Sequence, residues 1–188
     1  MYTPSVDQLK RAIIKGLSLL HARLGKLNRD NITDPLTGLN NRRGLRLALD
    51  RLLTAGKALS VIALDIDHFK DVNDRYGHDV GDQVLKYLAE HMRECFRAGD
   101  VMCRAGGEEF IVLLPELEIE AAHKIAERLR LSMASQPSPS GEVVTISLGV
   151  AYMPKGNSSI DTALRASDAA LYKAKNQGRN CVVSASEF

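Results

Sequence analysis

Arg104-Ala105-Gly106-Gly107-Glu108-Glu109-Phe110 lies between two short apolar runs, Val101-Met102-Cys103 and Ile111-Val112-Leu113-Leu114. Two runs rich in β-formers joined by Gly-Gly predict a β-hairpin, because glycine adopts the positive φ angles of a tight turn at little steric cost. A hairpin does not itself require two adjacent carboxylates at its tip. Glu108 and Glu109 beside a bare Gly106-Gly107 backbone offer oxygen ligands next to a surface that a phosphate can approach closely. That arrangement suits a hard divalent cation. The same residues also fit a solvated acidic turn, and the rest of the chain decides between the two.

The 188 residues suffice for one domain of ordinary size with an extension. Hydrophobic content of 45% and charged content of 26% are those of a globular protein. A net charge of +2, without any block of about five like charges, argues against a nucleic-acid or membrane-surface partner. Cys95, Cys103 and Cys181 are odd in number and lack CxxC spacing, so they read as reduced core residues of a cytoplasmic protein. No apolar run approaches the roughly 18 residues of a membrane span, and the N-terminus lacks a signal-peptide profile.

Upstream of the hairpin, Leu59 to Ile66 is a nearly continuous apolar run, which predicts a central strand covered on both faces. It ends in Asp65-Ile66-Asp67, and alternation puts both aspartates on one side, at the end where sites on α/β sheets usually lie. A helix over about 41–54 precedes this strand. A short helix from His68 to Tyr76, closed by Gly77, and a longer one over 79–98 follow it, the latter with Val84, Leu85, Leu88, Met92, Cys95 and Phe96 on its buried face, Asp79 as the expected N-cap and Asp82 in the first turn. Downstream, a helix over about 118–135, a strand over 143–152, a helix over 160–176 with Ala163, Leu164, Ala170 and Leu171 inward, and a last short strand at 181–183 complete the pattern. Strands and helices interleave around a mid-chain hairpin, so the expected fold is an α/β or α+β sandwich with a mixed sheet. Residues 1–30 form a separate N-terminal element. Val6, Ile13, Leu17, Leu20, Leu24 and Leu27 make a seam of 3.5-residue period, interrupted by Lys10; it fits an amphipathic helix docked on its own domain, but the sustained period and Asn31 at the next seam position favour a parallel coiled-coil linker helix of roughly 35–40 Å. The tail 184–188 is expected to be disordered.

These residues fall into a recognisable order. Asp34-Pro35-Leu36-Thr37-Gly38-Leu39-Asn40-Asn41-Arg42-Arg43, Asp65-Ile66-Asp67-His68-Phe69-Lys70, Asn73-Asp74, Gly77-His78 with Gly81-Asp82, the hairpin, and Lys175-Asn176-Gln177-Gly178-Arg179-Asn180 resemble the motifs of the GGDEF domains, the diguanylate cyclases, over roughly residues 31–183. Glu108 stands where the family's name has aspartate. The resemblance implies a palm-like fold: a five-stranded, largely antiparallel sheet with surrounding helices, similar to nucleotide cyclases and polymerase palms. It also implies condensation of two GTP into cyclic di-GMP and two pyrophosphates by a homodimer. Carried over position by position, it makes Asp65, the Ile66 carbonyl and Glu108 ligands of Mg²⁺ or Mn²⁺, and Glu109 an assistant to the metal or the 3′-hydroxyl. Asn73 and Asp82 become guanine readers, with a carboxylate accepting from N1–H and N2–H. Lys70, Lys175 and Arg179, beside the Gly106-Gly107 backbone, become phosphate contacts.

A second site is implied by Arg97-Ala98-Gly99-Asp100, which sits at the offset of the family's RxxD product-inhibition motif, with Arg128 as an accessory arginine. Taken alone, that quartet reads as a helix-end ion pair. Asp67 has no assigned role and is expected to make a structural hydrogen bond. Two other readings compete with the cyclase: a non-catalytic module that binds GTP or cyclic di-GMP, and a purely structural dimerisation domain. Intact Asp65, Glu108 and Glu109 argue against the first, and guanine readers against the second. The N-terminal helix is expected to connect to an upstream sensor or partner.

Overall fold

The computed structural model describes Lys15, residues 32–156 and residues 160–185. Apart from Lys15, the predicted seam helix lies outside the described residues, as do positions 186–188. The described elements are α1 (Arg42–Thr54), β1 (Leu59–Ile66), α2 (Phe69–Tyr76), α3 (His78–Cys95), β2 (Val101–Gly106), β3 (Glu109–Pro115), α4 (Ile119–Ala134), β4 (Ile146–Met153), α5 (Ile160–Asn176) and β5 (Val182–Ser184).

The strands form one five-stranded sheet in the order β2-β3-β1-β4-β5. Every pairing is antiparallel except β4 with β5. The apolar run of β1 is the central strand and is buried along its whole length. Its alternate side chains serve two cores. Ile62, Leu64 and Ile66 join Phe110, Val112 and Leu148 beneath Val84, Leu88 and Met92 of α3 and Ala126 and Leu129 of α4. Leu59 and Val61 join Cys103 and Leu113 beneath Leu45 and Leu49 of α1 and Ala163 of α5. Each fully buried side chain of this size contributes about 1.5–3 kcal/mol of transfer free energy. Cys103 is sealed in the second core, where burial pushes its thiol up to about 12. Cys95 and Cys181 are only half-buried, so one of the three cysteines is a core residue as expected.

Helix α5 lies unusually close to the sheet. A side chain at Gly149 of β4 would stand 2.1 Å from the Ser167 carbonyl oxygen and 2.2 Å from the Leu171 nitrogen, so only glycine fits. The helix answers with Ala163, Ser167, Ala170 and Ala174 on its buried face. Of the four residues the sequence placed inward, Ala163 and Ala170 are buried, whereas Leu164 and Leu171 are only half-buried. The close approach brings the last turn of α5 to the end of β1.

Several boundaries differ from the sequence reading for local reasons. Gly77 (φ 84°) both ends α2 and starts α3, so α3 begins at His78, Asp79 falls in its first turn instead of capping it, and Asp82 lies beyond that turn. In the hairpin Gly106 still pairs with Glu109, with a bulge after Arg104. The turn is therefore Gly107-Glu108, and Glu109 is already the first residue of β3. β4 starts at Ile146, three residues later than expected, and β5 extends through Ser184, with the Ala185 nitrogen still donating to the Val150 carbonyl.

The segment before α1 braces the hairpin. Asp34 accepts from the Thr37 nitrogen (2.9 Å) and hydroxyl (2.7 Å), and from Arg104 Nη1 (3.3 Å). Asn40 bonds to Met102 and Arg104 through the backbone, adding a parallel bridge along the outer edge of β2. Asn41 caps α1 by accepting from the Arg43 and Gly44 nitrogens. Burial would raise the Asp34 carboxyl, but the Thr37 bonds and the Arg104 guanidinium outweigh it and hold the group below its ordinary 3.8. Asp34→Ala should therefore lose about 1.5–3 kcal/mol in urea unfolding at neutral pH. Because a lowered folded value stabilises only above the unfolded one, the gap between the two proteins should close as pH falls through the Asp34 value.

Candidate active site

The site is built where β1 ends and the hairpin turns. Asp65 on β1 is directly opposite Glu109 on β3 in the antiparallel register. Glu108 occupies the adjoining turn. Nothing lies within 4 Å of where a Gly107 side chain would stand, so the backbone there is bare. The turn is held from behind: Arg104 Nε donates to the Gly107 carbonyl (2.9 Å) while its Nη1 reaches Asp34. The Arg42 guanidinium donates to the Ala105 carbonyl.

Asp65 is nearly buried, with a side-chain exposure of 9%, and Lys175 Nζ lies 2.8 Å from its Oδ2. Burial is the largest influence on the Asp65 carboxyl and pushes it up. Lys175 pulls it down, and the charges of Glu108 and Glu109 push it up again. The charges of Glu108 and Glu109 thus both bear on Asp65, and the Lys175 ammonium offsets them there. Among the described residues no group of three or more His, Cys, Asp or Glu side chains forms a metal cage. What the site offers is Asp65, Glu108 and the carbonyl of Ile66, the last residue of β1. Hard dications such as Mg²⁺ are held by one or two carboxylates plus substrate phosphates, and the Lys175 ammonium already stands as a cation on Asp65. The donor set fits such an ion.

Asp67 lies just past β1 and has the structural role the sequence suggested. It accepts from the Thr145 hydroxyl (2.7 Å), the Ser147 hydroxyl (2.6 Å) and the Asn180 nitrogen (3.0 Å). It thereby ties the end of β1 to the start of β4 and to the turn after α5. In that turn Arg179 and Asn180 take left-handed φ angles of 66° and 43°, and Arg179 is exposed. Lys70 is exposed on α2.

Asn73 on α2 packs against the start of α3. A side chain at Gly81 would come within 1.9 Å of Asn73 Oδ1, so the amide lies directly on the Gly81 backbone, next to Asp82. Arg97, Asp100 and Arg128 gather elsewhere, at the C-terminal end of α3. Both Asp100 oxygens are engaged, by the Arg97 nitrogen (3.0 Å) and by Arg97 Nε (3.1 Å), and the Asp100 side chain is 2% exposed. Arg97 Nη2 also donates to the Pro115 carbonyl (2.8 Å), and Arg128 donates to the Cys95 carbonyl. The quartet is thus closed as a helix-end ion pair in this state.

The sequence reading missed one wall of the site. Arg42, Asp168 and Tyr172, with Lys175 and Glu109, line a cavity of about 500 Å³ between α1 and α5. Burial and the nearby Glu109 push the Asp168 carboxyl up. The spacing of 168, 172 and 175 puts these side chains on one helical face, a signal that was available in the sequence.

A mostly antiparallel five-stranded sheet, with carboxylates where its central strand meets a hairpin and cations on the flanking elements, defines a palm-like domain. The chain belongs to the GGDEF-domain family: residues 31–181 match the family described as diguanylate cyclase, GGDEF domain. Among curated relatives, response regulator PleD of Caulobacter vibrioides is 40% identical over 161 residues, covering 81% of this chain and 36% of the relative. The chain thus spans about a third of that relative's length. The coiled coil and GGDEF domain of DgcB from Caulobacter crescentus, solved with c-di-GMP, superposes with a TM-score of 0.85 at 31% identity, covering 97% of this chain and all of that one. The active GGEEF domain of a Vibrio cholerae diguanylate cyclase gives a TM-score of 0.71 at 38% identity, covering 79% of this chain and 98% of that one.

Asp67→Ala should leave three donors without their acceptor and cost about 3 kcal/mol in chemical denaturation, with little loss from the conservative Asp67→Asn only where the amide can accept. An Asp67→Ala protein as stable as wild type would remove this residue as the tie between β1, β4 and the α5–β5 turn.

Proposed function

We propose that this chain is a diguanylate cyclase that joins two GTP into cyclic di-GMP and two pyrophosphates, working as a homodimer in the cytoplasm, where GTP is available. The observation that carries the reading is the Asp65–Glu109 register, with Glu108 in the adjoining turn and Lys175 on Asp65. Family membership and the c-di-GMP bound to the DgcB relative support it. Asp65, the Ile66 carbonyl and Glu108 hold Mg²⁺, or Mn²⁺ in its place. When bound, such an ion neutralises charge on the α-phosphate and the leaving pyrophosphate.

The protein's own groups do the rest. Asn73 and Asp82 orient guanine, since a carboxylate accepts from N1–H and N2–H where adenine has no such pair of donors. Lys70, Lys175 and Arg179 hold the phosphates beside Gly106 and Gly107, and the bare Gly107 backbone lets them approach. Glu109 lies next to Asp65 and receives the 3′-hydroxyl of the attacking nucleotide. Each 3′-oxygen forms one bond to an α-phosphorus while that phosphorus loses pyrophosphate, and the hydroxyl proton is released. One domain holds one GTP, yet two such links are made, so each 3′-hydroxyl attacks a nucleotide held by the other protomer. A two-fold pairing does this with the same residues twice, and the coiled-coil seam would raise the local concentration of the two halves. Product inhibition is read at Arg97, Asp100 and Arg128. Guanine or phosphate there must draw Arg97 off Asp100, because the pair is closed.

Incubation with GTP and Mg²⁺ followed by anion-exchange chromatography should yield cyclic di-GMP and pyrophosphate; a protein that binds GTP but leaves it unchanged would instead be a non-catalytic module. Asp65→Asn and Glu108→Gln should fold and lose at least about a hundredfold in turnover. Asp82→Ala should raise the KM for GTP about tenfold or more; an unchanged KM would take Asp82 out of guanine recognition. Arg97→Ala should keep the initial rate and weaken product affinity about ten- to a hundredfold, seen as a later plateau in product accumulation. Unaltered product inhibition in that variant would place the inhibitory site elsewhere.

A further inference from the structure

We infer that Lys175 holds the place of the cation on Asp65, so that the site takes a divalent cation and a guanine nucleotide as one metal–nucleotide complex and binds free metal poorly. The inference rests on the reading of Asp65 and Glu108 as metal ligands, and it concerns the state before substrate arrives. Lys175 Nζ is 2.8 Å from Asp65 Oδ2, within bonding distance of an oxygen a dication would need. Among the described residues this is the one ion pair made by Asp65, Glu108 or Glu109. A dication arriving alone must displace the ammonium and then sit beside it. Two like charges would share a nearly buried corner, and Lys175 would have lost its partner.

A metal-bound nucleotide changes that balance. It delivers a cation to Asp65 and an anion to Lys175 in the same event, so each group exchanges one opposite charge for another. Lys175 can make the exchange, because it stands on the last turn of α5 with a third of its side chain exposed, on a flexible four-carbon stem. The donor set points the same way. Two carboxylates and a carbonyl leave several positions of a six-coordinate ion to phosphate oxygens or water. Coupling of this kind is reciprocal: nucleotide strengthens metal binding by the factor by which metal strengthens nucleotide binding. A nucleotide without metal would bring its phosphates up to Asp65, Glu108 and Glu109 uncompensated.

The test reads metal binding directly, by the electron paramagnetic resonance of free Mn²⁺ at about pH 8, where carboxylate protonation does not compete. Wild type, K175M, K175Q, K175R and D65N are compared with and without a GTP analogue carrying an α,β-methylene bridge. Without nucleotide, K175M and K175Q should bind Mn²⁺ about tenfold more tightly than wild type, while K175R stays close to wild type. The analogue should strengthen Mn²⁺ binding to wild type by more than it does for K175M. If K175M and K175Q bind free Mn²⁺ no better than wild type while D65N abolishes binding, the placeholder role is overturned and the metal site stands. If D65N binds Mn²⁺ as wild type does in both conditions, the ion is not at Asp65, and both readings fall together.

Discussion

Mutual repulsion among Asp65, Glu108 and Glu109 is the constraint the rest of the domain accommodates. Antiparallel register places Asp65 and Glu109 opposite each other, and the hairpin turn adds Glu108 one residue away. Left alone, such a cluster would spread apart, and burial already drives the Asp65 carboxyl upward. The fold prevents spreading with bonds that the carboxylates do not make themselves. Arg104 and Arg42 hold the hairpin through its backbone carbonyls, and Asp34 anchors Arg104 in turn. Asp67 fixes the end of β1 against β4 and the α5–β5 turn. Lys175 supplies the compensating charge.

That charge depends on packing some distance away. Lys175 reaches Asp65 because α5 lies against β4 with no side chain between them at Gly149, and its small residues let the backbones approach. A bulkier residue there would lift the helix and its last turn together. Packing of the second core and electrostatics of the site are therefore one problem. The residues proposed to read guanine, Asn73 and Asp82, stand on α2 and α3 over the other core, where Asn73 rests on Gly81, so the proposed site draws on helices from both layers.

Much of this was legible in the sequence because it follows from short-range periodicity. The continuous apolar run of β1, the alternation that paired Asp65 with Asp67, and the apolar stripe of α3 all appear as read. What escaped needed distance in the chain. The turn at Gly107-Glu108, instead of Gly106-Gly107, goes with a bulge after Arg104, and Arg104 and Arg42 bond to the backbone around it, the latter across 63 residues of sequence. The late start of β4 accompanies the backbone and side-chain bonds that Asp67 makes to Thr145. Small residues on α5 carry no hydrophobic emphasis, so leucines drew the inward assignment that Ser167 and Ala174 hold in fact. The role of Asp34 and Arg104 as a brace was hidden for the same reason: a motif can be quoted before its partner strand is known.

In the proposed reaction each domain is half of a catalytic unit, with one set of carboxylates for each bond formed. Product analysis in mixed dimers tests this most directly. Wild-type protein is mixed with excess Asp65→Asn, allowed to exchange subunits, and given GTP and Mg²⁺. In a mixed dimer only the nucleotide held by the wild-type half can be attacked, so a linear dinucleotide with one 3′–5′ link should accumulate as cyclic product falls. If the excess variant leaves the yield of cyclic di-GMP per wild-type chain unchanged and no linear species appears, one chain completes both bonds alone, and the half-site account is wrong.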